Sequence, residues 1–524
     1  MPANAAIRLP KRPSLAVLAV LGVFAIVFSY IFTLAIAVLC VVLPFLAVSH
    51  GVGGVQAVAL LLIGLVMGAT IAWSLVPRRD RFQTPGVLLP LSQHPRLQAH
   101  LSEVAHALGQ ELPGELYLIP DANAWVREHG GVLGFGSRRV MALGLPLLTS
   151  LSVSQLRAVL AHEFSHFYSG DTRLGPVVYA ARTAMIRALK NLSSDSGAWN
   201  VLRRFGIAAL AHQLVIAGLT GYWKLFMRLT QLISRQQEFR CDELACHVAG
   251  KEAMREGLQK VEVASVAVHH FWLTVMSPAL AGGYRPSFSN GFARFLIAPD
   301  IEAAHTRYLQ AMLSQSKTDA YDTHPALRDR IQRIGSLQVQ AQASEDNAPA
   351  TELLDDLASL ETKLLKFVAP DLQTETLKVM DWETAASAVY RPMWEGIVSQ
   401  YAHLLTGTTV ESLPDLLHNL SPVASKIRDP QGTLLTREQR AERAFQLVWM
   451  AFALVLLHHG WSLHAQPGSV YLWKGSEQLR PADLLGKLRS GAMTRIEWTQ
   501  WCAREEIGSA SLNSAVLPVT KNGD

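Results

Sequence analysis

Residues 158–171, AVLAHEFSHFYSGD, place two histidines and a glutamate in a run that otherwise has the apolar character of a buried helix. His162 and His166 are four residues apart, so both rings project from one face of that helix. Two imidazoles on one face can bind zinc through their ring nitrogens. Glu163 lies next to the first histidine, where its carboxylate can reach a water molecule on the metal. The spacing therefore predicts a metal site that carries its own general base.

Sequence signals also mark the ends of this helix. Ser152, followed three residues later by Gln155, has the spacing of a capping box, and Gly170 can end the helix. The alternative interpretation is a buried helix whose histidines only form hydrogen bonds with their neighbours. A third metal ligand elsewhere in the chain would distinguish the two interpretations.

A candidate third ligand occurs in residues 233–245, ISRQQEFRCDELA. Glu238 and Asp242 are four residues apart and again share a helical face. Glu238 would complete a site of two histidines and one glutamate, the gluzincin ligand set, with a fourth position open for water. Asp242 can accept a hydrogen bond from the free ring nitrogen of a ligand histidine and so fix its tautomer. The alternative, a solvated helix face, fits poorly in a run this apolar.

The composition favours a membrane protein, because half of the 524 residues are apolar and only 17% are charged. Residues 14–48 and 55–73 contain no charged side chain, and each stretch is long enough to span a bilayer. A cleaved signal peptide is the alternative, but its apolar core would be much shorter and no second span would follow so soon. We therefore expect an N-terminal transmembrane helical hairpin. Basic residues do not cluster with aromatic ones, which argues against a nucleic-acid partner.

The basic residues that flank the hairpin predict its orientation. They are Arg8, Lys11 and Arg12 before the first span, and Arg78, Arg79 and Arg81 after the second. The positive-inside rule puts both flanks in the cytoplasm, together with everything after residue 82. The four cysteines are too few and too scattered for a disulfide framework, which is consistent with a reducing compartment.

The HEFSH motif and the later S-R-x-x-E-F-x-x-D pattern resemble the membrane zinc peptidases that include HtpX and the CaaX prenyl endopeptidases. Three further matches follow the order of that family: Asn123-Ala124-Trp125, Asp171, and Thr323-His324-Pro325 with Arg330 and Ile331. The resemblance covers about residues 85–335 and implies an α+β zincin-type metallopeptidase domain, mainly helical with a small β-sheet, that binds one catalytic zinc ion. It also implies a multi-pass protein of the bacterial inner membrane. One departure is Cys241, where the family usually has a small residue.

The resemblance also directs attention to two downstream residues. In peptide hydrolysis Glu163 would take a proton from water and pass it to the leaving amine. The tetrahedral oxyanion then needs a hydrogen-bond donor besides zinc. His324 or Arg330 could provide that donor, and a structural role for either residue is the alternative.

Membrane topology constrains the segment between the two metal-binding helices. His162 and Glu238 must meet at one ion, so the chain between them crosses the membrane an even number of times. Residues 205–223 are apolar enough to span, but a partner span in residues 172–192 would carry Arg182, Arg187 and Lys190 into the bilayer at a cost of several kcal/mol. We expect residues 205–223 to pack in the core or to lie against the membrane.

Residues 138–144, RRVMALG, precede the metal-binding helix and have the composition of a strand. An edge strand at this position could form backbone hydrogen bonds with an extended peptide substrate, which would select for length more than for sequence. An internal strand is the alternative.

Composition also divides the chain into segments. We expect the transmembrane hairpin in residues 1–82, the metallopeptidase domain in 83–339, a polar linker in 340–350, an α-rich C-terminal region in 351–465 and a small α+β tail in 466–524. Residues 444–461 have too short an apolar run for a further span and favour a buried core helix. Trp473, Trp498 and Trp501 are expected in a small core, with a peptide-binding face as the alternative.

These features together predict an integral membrane zinc endopeptidase that acts on the cytoplasmic side, in membrane-protein quality control or processing. Its partners would be protein or peptide substrates, membrane proteins among them, and the lipid bilayer. Prenyl-protein processing is the weaker variant, because the spans that would enclose a lipid chain are missing. The alternative from another class is a catalytically silent zinc-containing scaffold or regulatory protein. Glu163 argues against it, since a structural zinc site needs no general base.

Overall fold

The structure, a computed structural model, describes residues 13–76, 82–129, 137–167, 175–193, 206–315, 324–339, 345–427 and 435–513. The basic residues that flank the hairpin, and also Gly170, Asp171 and Thr323, lie outside the described residues. The chain divides into two compact units, Met1–Ser265 with Arg307–Val368 and Val266–Thr306 with Ala369–Asp524. Long helices and small sheets make up the described residues, which confirms the predicted fold class.

The first unit begins with two long helices, α1 (Pro13–Ser49) and α2 (Gly54–Leu75), which pack together as a hairpin. They approach closely because α2 carries small residues on the shared face: a Cβ atom at Gly64 would collide with the carbonyl oxygen of Cys40. Apolar side chains such as Phe45 stay exposed along the outside of the pair. Such a surface suits lipid rather than water, and the predicted membrane hairpin is confirmed in its length and composition.

A four-stranded sheet follows the hairpin. Its strands are β1 (Val87–Leu88), β2 (Glu115–Ile119), β3 (Ala124–His129) and β4 (Arg138–Gly144), in the order β1-β2-β4-β3. Strand β4 is parallel to β2 and antiparallel to β3. The expectation of an edge strand at residues 138–144 is therefore wrong, because this strand is internal and β3 forms the edge. Residues 140–143 are buried without alternation, as in a strand that is covered on both faces.

Helix α3 (Pro95–Ala107) lies between β1 and β2 in the sequence. Helices α4 (Leu145–Ser150) and α5 (Val153–Ser165) follow β4. Helix α5 carries the HEFSH motif and packs against β3. Its predicted capping box is present, because Ser152 Oγ accepts from the Gln155 amide and Gln155 Oε1 accepts from the Ser152 amide. The helix ends before the predicted Gly170, so His166 is its C-cap residue. The dihedral angles of His166 are still helical, which preserves the one-turn spacing of the two histidines.

Helix α6 (Gly175–Ser193) and the first half of helix α7 (Gly206–Ala249) pack beside the hairpin. Buried apolar residues of α1, α2, α6 and α7 form one cluster: Ala37 and Cys40 of α1, Ile63, Met67 and Ile71 of α2, Met185 and Leu192 of α6, and Leu219 of α7. Arg187 of α6 donates to the carbonyl oxygens of Ser74 and Val76, at 2.8 and 3.3 Å, and so satisfies the C-terminal end of α2. Residues 206–223 thus pack against both helices of the hairpin.

The other α-helices of the described chain are α8 (Lys251–Phe271), α9 (Ser277–Ala281), α10 (Phe288–Leu296), α11 (Pro299–Gln315), α12 (Leu327–Ser336), α13 (Leu357–Val368), α14 (Arg391–Tyr401), α15 (Leu413–His418), α16 (Ser421–Ala424), α17 (Arg437–His458), α18 (Pro481–Ser490) and α19 (Arg495–Glu505). The further strands are β5 (Tyr284–Pro286) and β6 (Lys378–Met380), which pair in parallel, and β7 (Ser462–Gln466), β8 (Ser469–Lys474) and β9 (Glu477–Leu479), which form an antiparallel sheet.

The described part of the segment expected to be a polar linker, residues 345–350, forms hydrogen bonds at the start of helix α5. The amides of Val153 and Ser154 donate to the carbonyl oxygens of Ala348 and Asp346, at 2.9 and 3.0 Å, and the Ala350 amide donates to Leu151 O at 3.0 Å. The first two bonds satisfy backbone amides at the first turn of α5, where no intrahelical partner exists. The first unit then continues through α13 to Val368, beyond the boundary that composition suggested.

In the second unit, helix α17 contains the apolar run expected to be a core helix. Four helical segments of the described chain are long and apolar enough to cross a membrane: Val23–Ser49, Gly54–Leu75, Lys251–Ala281 and Arg437–His458. In the last of these, residues 450–456 are all buried, as expected of a core helix. Trp498 is also buried, and its Nε1 donates to Val410 O at 3.0 Å, whereas Trp473 lies half-buried on the β7-β8-β9 sheet.

Candidate metal centre

Three side chains from helices α5 and α7 converge in the first unit. His162 Nε2 lies 3.4 Å from Glu238 Oε2, and His166 Nε2 lies 3.6 Å from Glu238 Oε1. One nitrogen or oxygen from each residue can be chosen so that all three atoms lie within 4.8 Å of one another. Two ligand atoms bound at about 2.0–2.1 Å to a tetrahedral ion are about 3.4 Å apart. The separations therefore have the size expected of ligands that share one ion.

The carboxylate of Glu238 lacks the partners that its burial demands. The residue is only 3% exposed, and its Oε2 accepts no hydrogen bond of good geometry, although His324 Nδ1 lies 2.9 Å away. Such an oxygen, removed from water and left without sufficient donors, is costly. A cation between Glu238 and the two imidazoles would offset that cost. The three residues thus fit a divalent metal ion, as the spacing of the motifs predicted.

Asp242 lies behind the first histidine, as expected from its position one turn after Glu238. Its Oδ1 is 2.9 Å from His162 Nδ1, on the side of the ring that faces away from Glu238. This contact keeps the hydrogen on Nδ1 and leaves Nε2 free for a metal. In the metal-free protein, burial lowers the pKa of His162, but the Asp242 and Glu238 carboxylates outweigh burial and raise it to about 10.

Arg330 of helix α12 makes a different contact from the one considered for it. Its guanidinium forms a two-pronged pair with Asp242, from Nε to Oδ2 at 2.9 Å and from Nη2 to Oδ1 at 2.6 Å. The Asp242 carboxylate in turn raises the pKa of Arg330 against the effect of burial. The guanidinium lies on the far side of His162 from Glu238. In this position its contact is with Asp242, the carboxylate that lies beside His162 Nδ1.

His166 has a different neighbour, which the sequence did not reveal as a contact. Its Nδ1 lies 3.5 Å from Cys241 Sγ, close enough for a weak hydrogen bond to sulfur. The two histidines are therefore held unequally, one by a charged carboxylate and the other by a thiol. The available signal was the position of Cys241, three residues after Glu238 and so on nearly the same face of α7.

Glu163 and His324 complete the side chains around this cluster. Burial and the nearby Glu238 carboxylate together raise the pKa of Glu163 to about 7, against the opposing effects of His162, His324 and Arg330. A carboxyl group with a pKa near neutrality can both take up and release a proton. His324 is 63% exposed, so it lies on the open side of the cluster next to Glu238. The structure thus brings together seven residues singled out in the sequence, including Glu163, while Asp171 lies outside the described part.

The chain matches known proteins over this region. The family model described as Peptidase family M48 matches residues 91–338. Protease HtpX of Acinetobacter baylyi is 25% identical over 272 residues, which is 48% of this chain and 86% of the relative. Protease HtpX of Vibrio atlanticus is 29% identical over 161 residues, 28% of this chain and 51% of the relative.

A third relative, the Protease HtpX homolog of Acaryochloris marina, is 27% identical over 259 residues, 48% of this chain and 75% of the relative. No solved structure matches the chain. The matched region contains the complete two-histidine, one-glutamate cluster and follows the two apolar helices of the hairpin. Residues 91–338 of this chain thus match peptidase family M48, and together with the apolar hairpin before them they are similar to HtpX-like membrane metallopeptidases.

Proposed function

We propose that this chain is an integral membrane zinc endopeptidase that hydrolyses peptide bonds on the cytoplasmic side of a bacterial inner membrane. The observation that carries the proposal is the cluster of His162, His166 and Glu238, with Glu163 beside it and Asp242 behind it. Two imidazoles and one carboxylate at tetrahedral separations are a donor set that suits zinc, and they leave a fourth position open.

Zinc, when bound, supplies a Lewis acid that lowers the pKa of water and polarises a carbonyl group. Side chains of the protein carry out the proton transfers. Glu163 takes a proton from the attacking water and delivers it to the nitrogen of the scissile bond. The water oxygen ends in the new carboxylate, and the peptide nitrogen leaves as the amine.

Two further residues take different roles in this reaction. His324 is exposed beside Glu238, where it can donate a hydrogen bond to the developing oxyanion of the substrate. Arg330 acts as a positioning residue, because its guanidinium is engaged by both oxygens of Asp242. Asp242 in turn orients the His162 ring.

The substrate is proposed to bind as an extended strand along β3. This strand is one of the two edge strands of the four-stranded sheet, and it packs against α5, the helix that carries both histidines. An exposed strand edge offers backbone donors and acceptors to a peptide, and it discriminates weakly among side chains. Ala124 and Trp125 are the first two residues of this edge strand and Asn123 precedes it, so the segment noted in the sequence would contribute to peptide binding.

The cellular role proposed is quality control or processing of membrane proteins. Broad sequence tolerance at an edge strand suits an enzyme that clears many damaged substrates. The orientation rests on the basic residues that flank the hairpin in the sequence, which favour a cytoplasmic site. Relatives of this chain carry the name Protease HtpX, which supports a proteolytic role.

Zinc content and proteolysis of the detergent-purified full chain test this proposal, with Glu163→Gln as the matched variant. We expect one zinc per chain in both proteins and cleavage of an unfolded protein substrate by the unmodified chain alone. Zinc in both with cleavage by neither would favour the alternative, a catalytically silent zinc-containing scaffold. Absence of zinc from both proteins would mean that the two histidines contribute only to packing.

A further inference from the structure

The exposed side of helix α7 carries apolar and basic side chains together over one stretch. Three large apolar side chains are exposed there: Leu225, Leu229 and Leu232. Arg228 is also exposed, and it lies three residues after Leu225 and four before Leu232, so these side chains share one face of the helix. Lys224, one turn before Arg228, is exposed as well. We call this surface of residues 224–232 the mixed face.

Helix α1 lies beside the mixed face and adds apolar surface to it. The Tyr222 ring of α7 lies 5.8 Å from the Phe28 ring, and Phe226 is buried in one cluster with Ala25 and Ile26 of α1. On its exposed side, this part of α1 presents Val23, Phe24, Val27 and Phe28. Phe and Leu beside Lys and Arg are typical of helices that lie in the interface between hydrocarbon and headgroups. The combined surface therefore fits neither bulk water nor the centre of a bilayer.

The charge on these helices has one sign. Helices α1, α2 and α6 contain no Asp or Glu, and the first acidic residue of α7 is Glu238, which is buried in the metal cluster. The basic residues of the same region are Arg182, Arg187 and Lys190 in α6, and Lys224, Arg228 and Arg235 in α7. Lys224 and Arg228 on the mixed face therefore complement a partner that carries negative charge.

Anionic phospholipids and an acidic protein segment are the two partners that fit a surface of this chemistry. The lipid fits better, because the mixed face continues the exposed apolar surface of the membrane hairpin. Leu210 and Leu214 are exposed earlier on α7, and this part of the helix packs with α1 and α2. At the surface of a membrane, apolar side chains contact acyl chains while Lys and Arg attract anionic headgroups.

We propose that the mixed face, together with the adjoining exposed side of α1, binds the headgroups of anionic phospholipids. Lys224 and Arg228 contact the lipid phosphates, and the leucines contact the upper part of the acyl chains. The contact requires no proteolysis, so it stands apart from the proposed catalytic function. Helix α7 is uninterrupted from Lys224 to Glu238, and the bound lipid therefore holds the same element that supplies one of the three candidate metal ligands.

The test places a fluorophore on the mixed face and asks which lipid reaches it. Leu232→Cys is labelled in the full chain, whose four native cysteines are all buried, and the protein is reconstituted into phosphatidylcholine vesicles. Brominated phosphatidylglycerol, which is anionic, and brominated phosphatidylcholine, which is zwitterionic, are compared as quenchers. One basic side chain near an anionic lipid surface strengthens association about fivefold. We expect the anionic lipid to reach half-maximal quenching at a mole fraction about fivefold lower than the zwitterionic lipid.

Variants in the labelled background separate charge from packing. Lys224→Gln combined with Arg228→Gln should lose most of the preference for the anionic lipid. Lys224→Arg combined with Arg228→Lys conserves the charge and should keep the preference, as should the control Lys363→Gln at an exposed site on α13. A preference that is unchanged in the double Gln variant would contradict the assignment of these two side chains.

Two further outcomes would overturn the proposal itself. Equal quenching by both lipids in the labelled chain would mean contact with hydrocarbon alone, without selection of a headgroup. Absence of quenching by either lipid would remove the mixed face from the membrane and leave an acidic protein segment as its partner.

Discussion

Arg330 and Asp242, which are 88 residues apart in the chain, form a two-pronged ion pair on the side of His162 that faces away from Glu238. The pair is almost completely buried, with the arginine side chain 11% exposed. Two parallel charge-assisted hydrogen bonds fix the carboxylate plane, and the carboxylate fixes the ring of the metal ligand. The ion pair thus lies directly beside the ring of a candidate metal ligand.

The first prediction concerns metal affinity. Arg330→Ala removes the two guanidinium donors of the buried Asp242 carboxylate, so the ring of His162 loses its fixed orientation. We expect zinc affinity to fall by about 10- to 100-fold, which chelator competition measures directly. Arg328→Ala, at an exposed position on the same helix, should leave the affinity unchanged. Equal affinities for Arg330→Ala and the unmodified chain would contradict the positioning role.

Cys241 is the subject of the second prediction. The Cys241→Ala variant removes the sulfur beside His166 Nδ1, and we expect a loss of zinc affinity smaller than about tenfold, because a thiol is a weak hydrogen-bond partner. In the cobalt-substituted protein no thiolate charge-transfer band should appear, since Cys241 is not a ligand. Cys246→Ala removes another buried thiol of the same helix and controls for the cavity. An effect of equal size in both variants would assign the loss to packing.

His324 provides the third prediction, on turnover. His324→Ala removes an exposed donor beside the metal centre, so kcat should fall by about 10²- to 10³-fold while zinc content and thermal stability stay unchanged. The matched variant His403→Ala alters an exposed histidine of the second unit and should retain full activity. A His324→Ala protein that loses its zinc would instead make His324 part of the metal site.

The fourth prediction is the pH dependence of catalysis. Glu163 must be ionised to accept a proton, and burial raises its pKa to about 7 in the absence of metal. A bound cation lowers that pKa again. We therefore expect kcat/KM to rise about tenfold per pH unit on the acidic side and to level off at or below pH 7. A rate that fell as the pH rose from 5 to 7 would be inconsistent with Glu163 as the base.

The fifth prediction concerns the segment that returns to helix α5. Ser154 Oγ, in the first turn of helix α5, accepts a hydrogen bond from the Asp346 amide at 2.6 Å. Ser154→Ala should lower the free energy of unfolding by about 1 kcal/mol. Hydrogen-exchange mass spectrometry should also detect faster exchange in residues 345–350. The exposed Ser336→Ala serves as control, and unchanged exchange in both variants would argue against this contact as a stabilising one.

Much of the metal centre could be predicted from local spacing. His162 and His166, or Glu238 and Asp242, lie one helical turn apart, and this geometry follows from the α-helix itself wherever the helix packs. The transmembrane hairpin could be predicted for the same kind of reason. Length and the absence of charge determine whether a helix can span a bilayer, without reference to any other part of the chain.

Contacts between distant segments were decided only by the tertiary structure. Strand pairing makes β4 internal and β3 the edge, because hydrogen bonds between strands depend on which segments meet rather than on the pattern of one segment. Arg330 could equally have faced a substrate until packing brought it to Asp242. Likewise, carbonyl oxygens of residues 346–348 accept hydrogen bonds from the backbone amides at the first turn of α5. These residues have no apolar periodicity from which the contact could be predicted. Periodicity in the sequence determines which side chains share one face of a helix or strand. Long-range packing determines which other segments that face contacts.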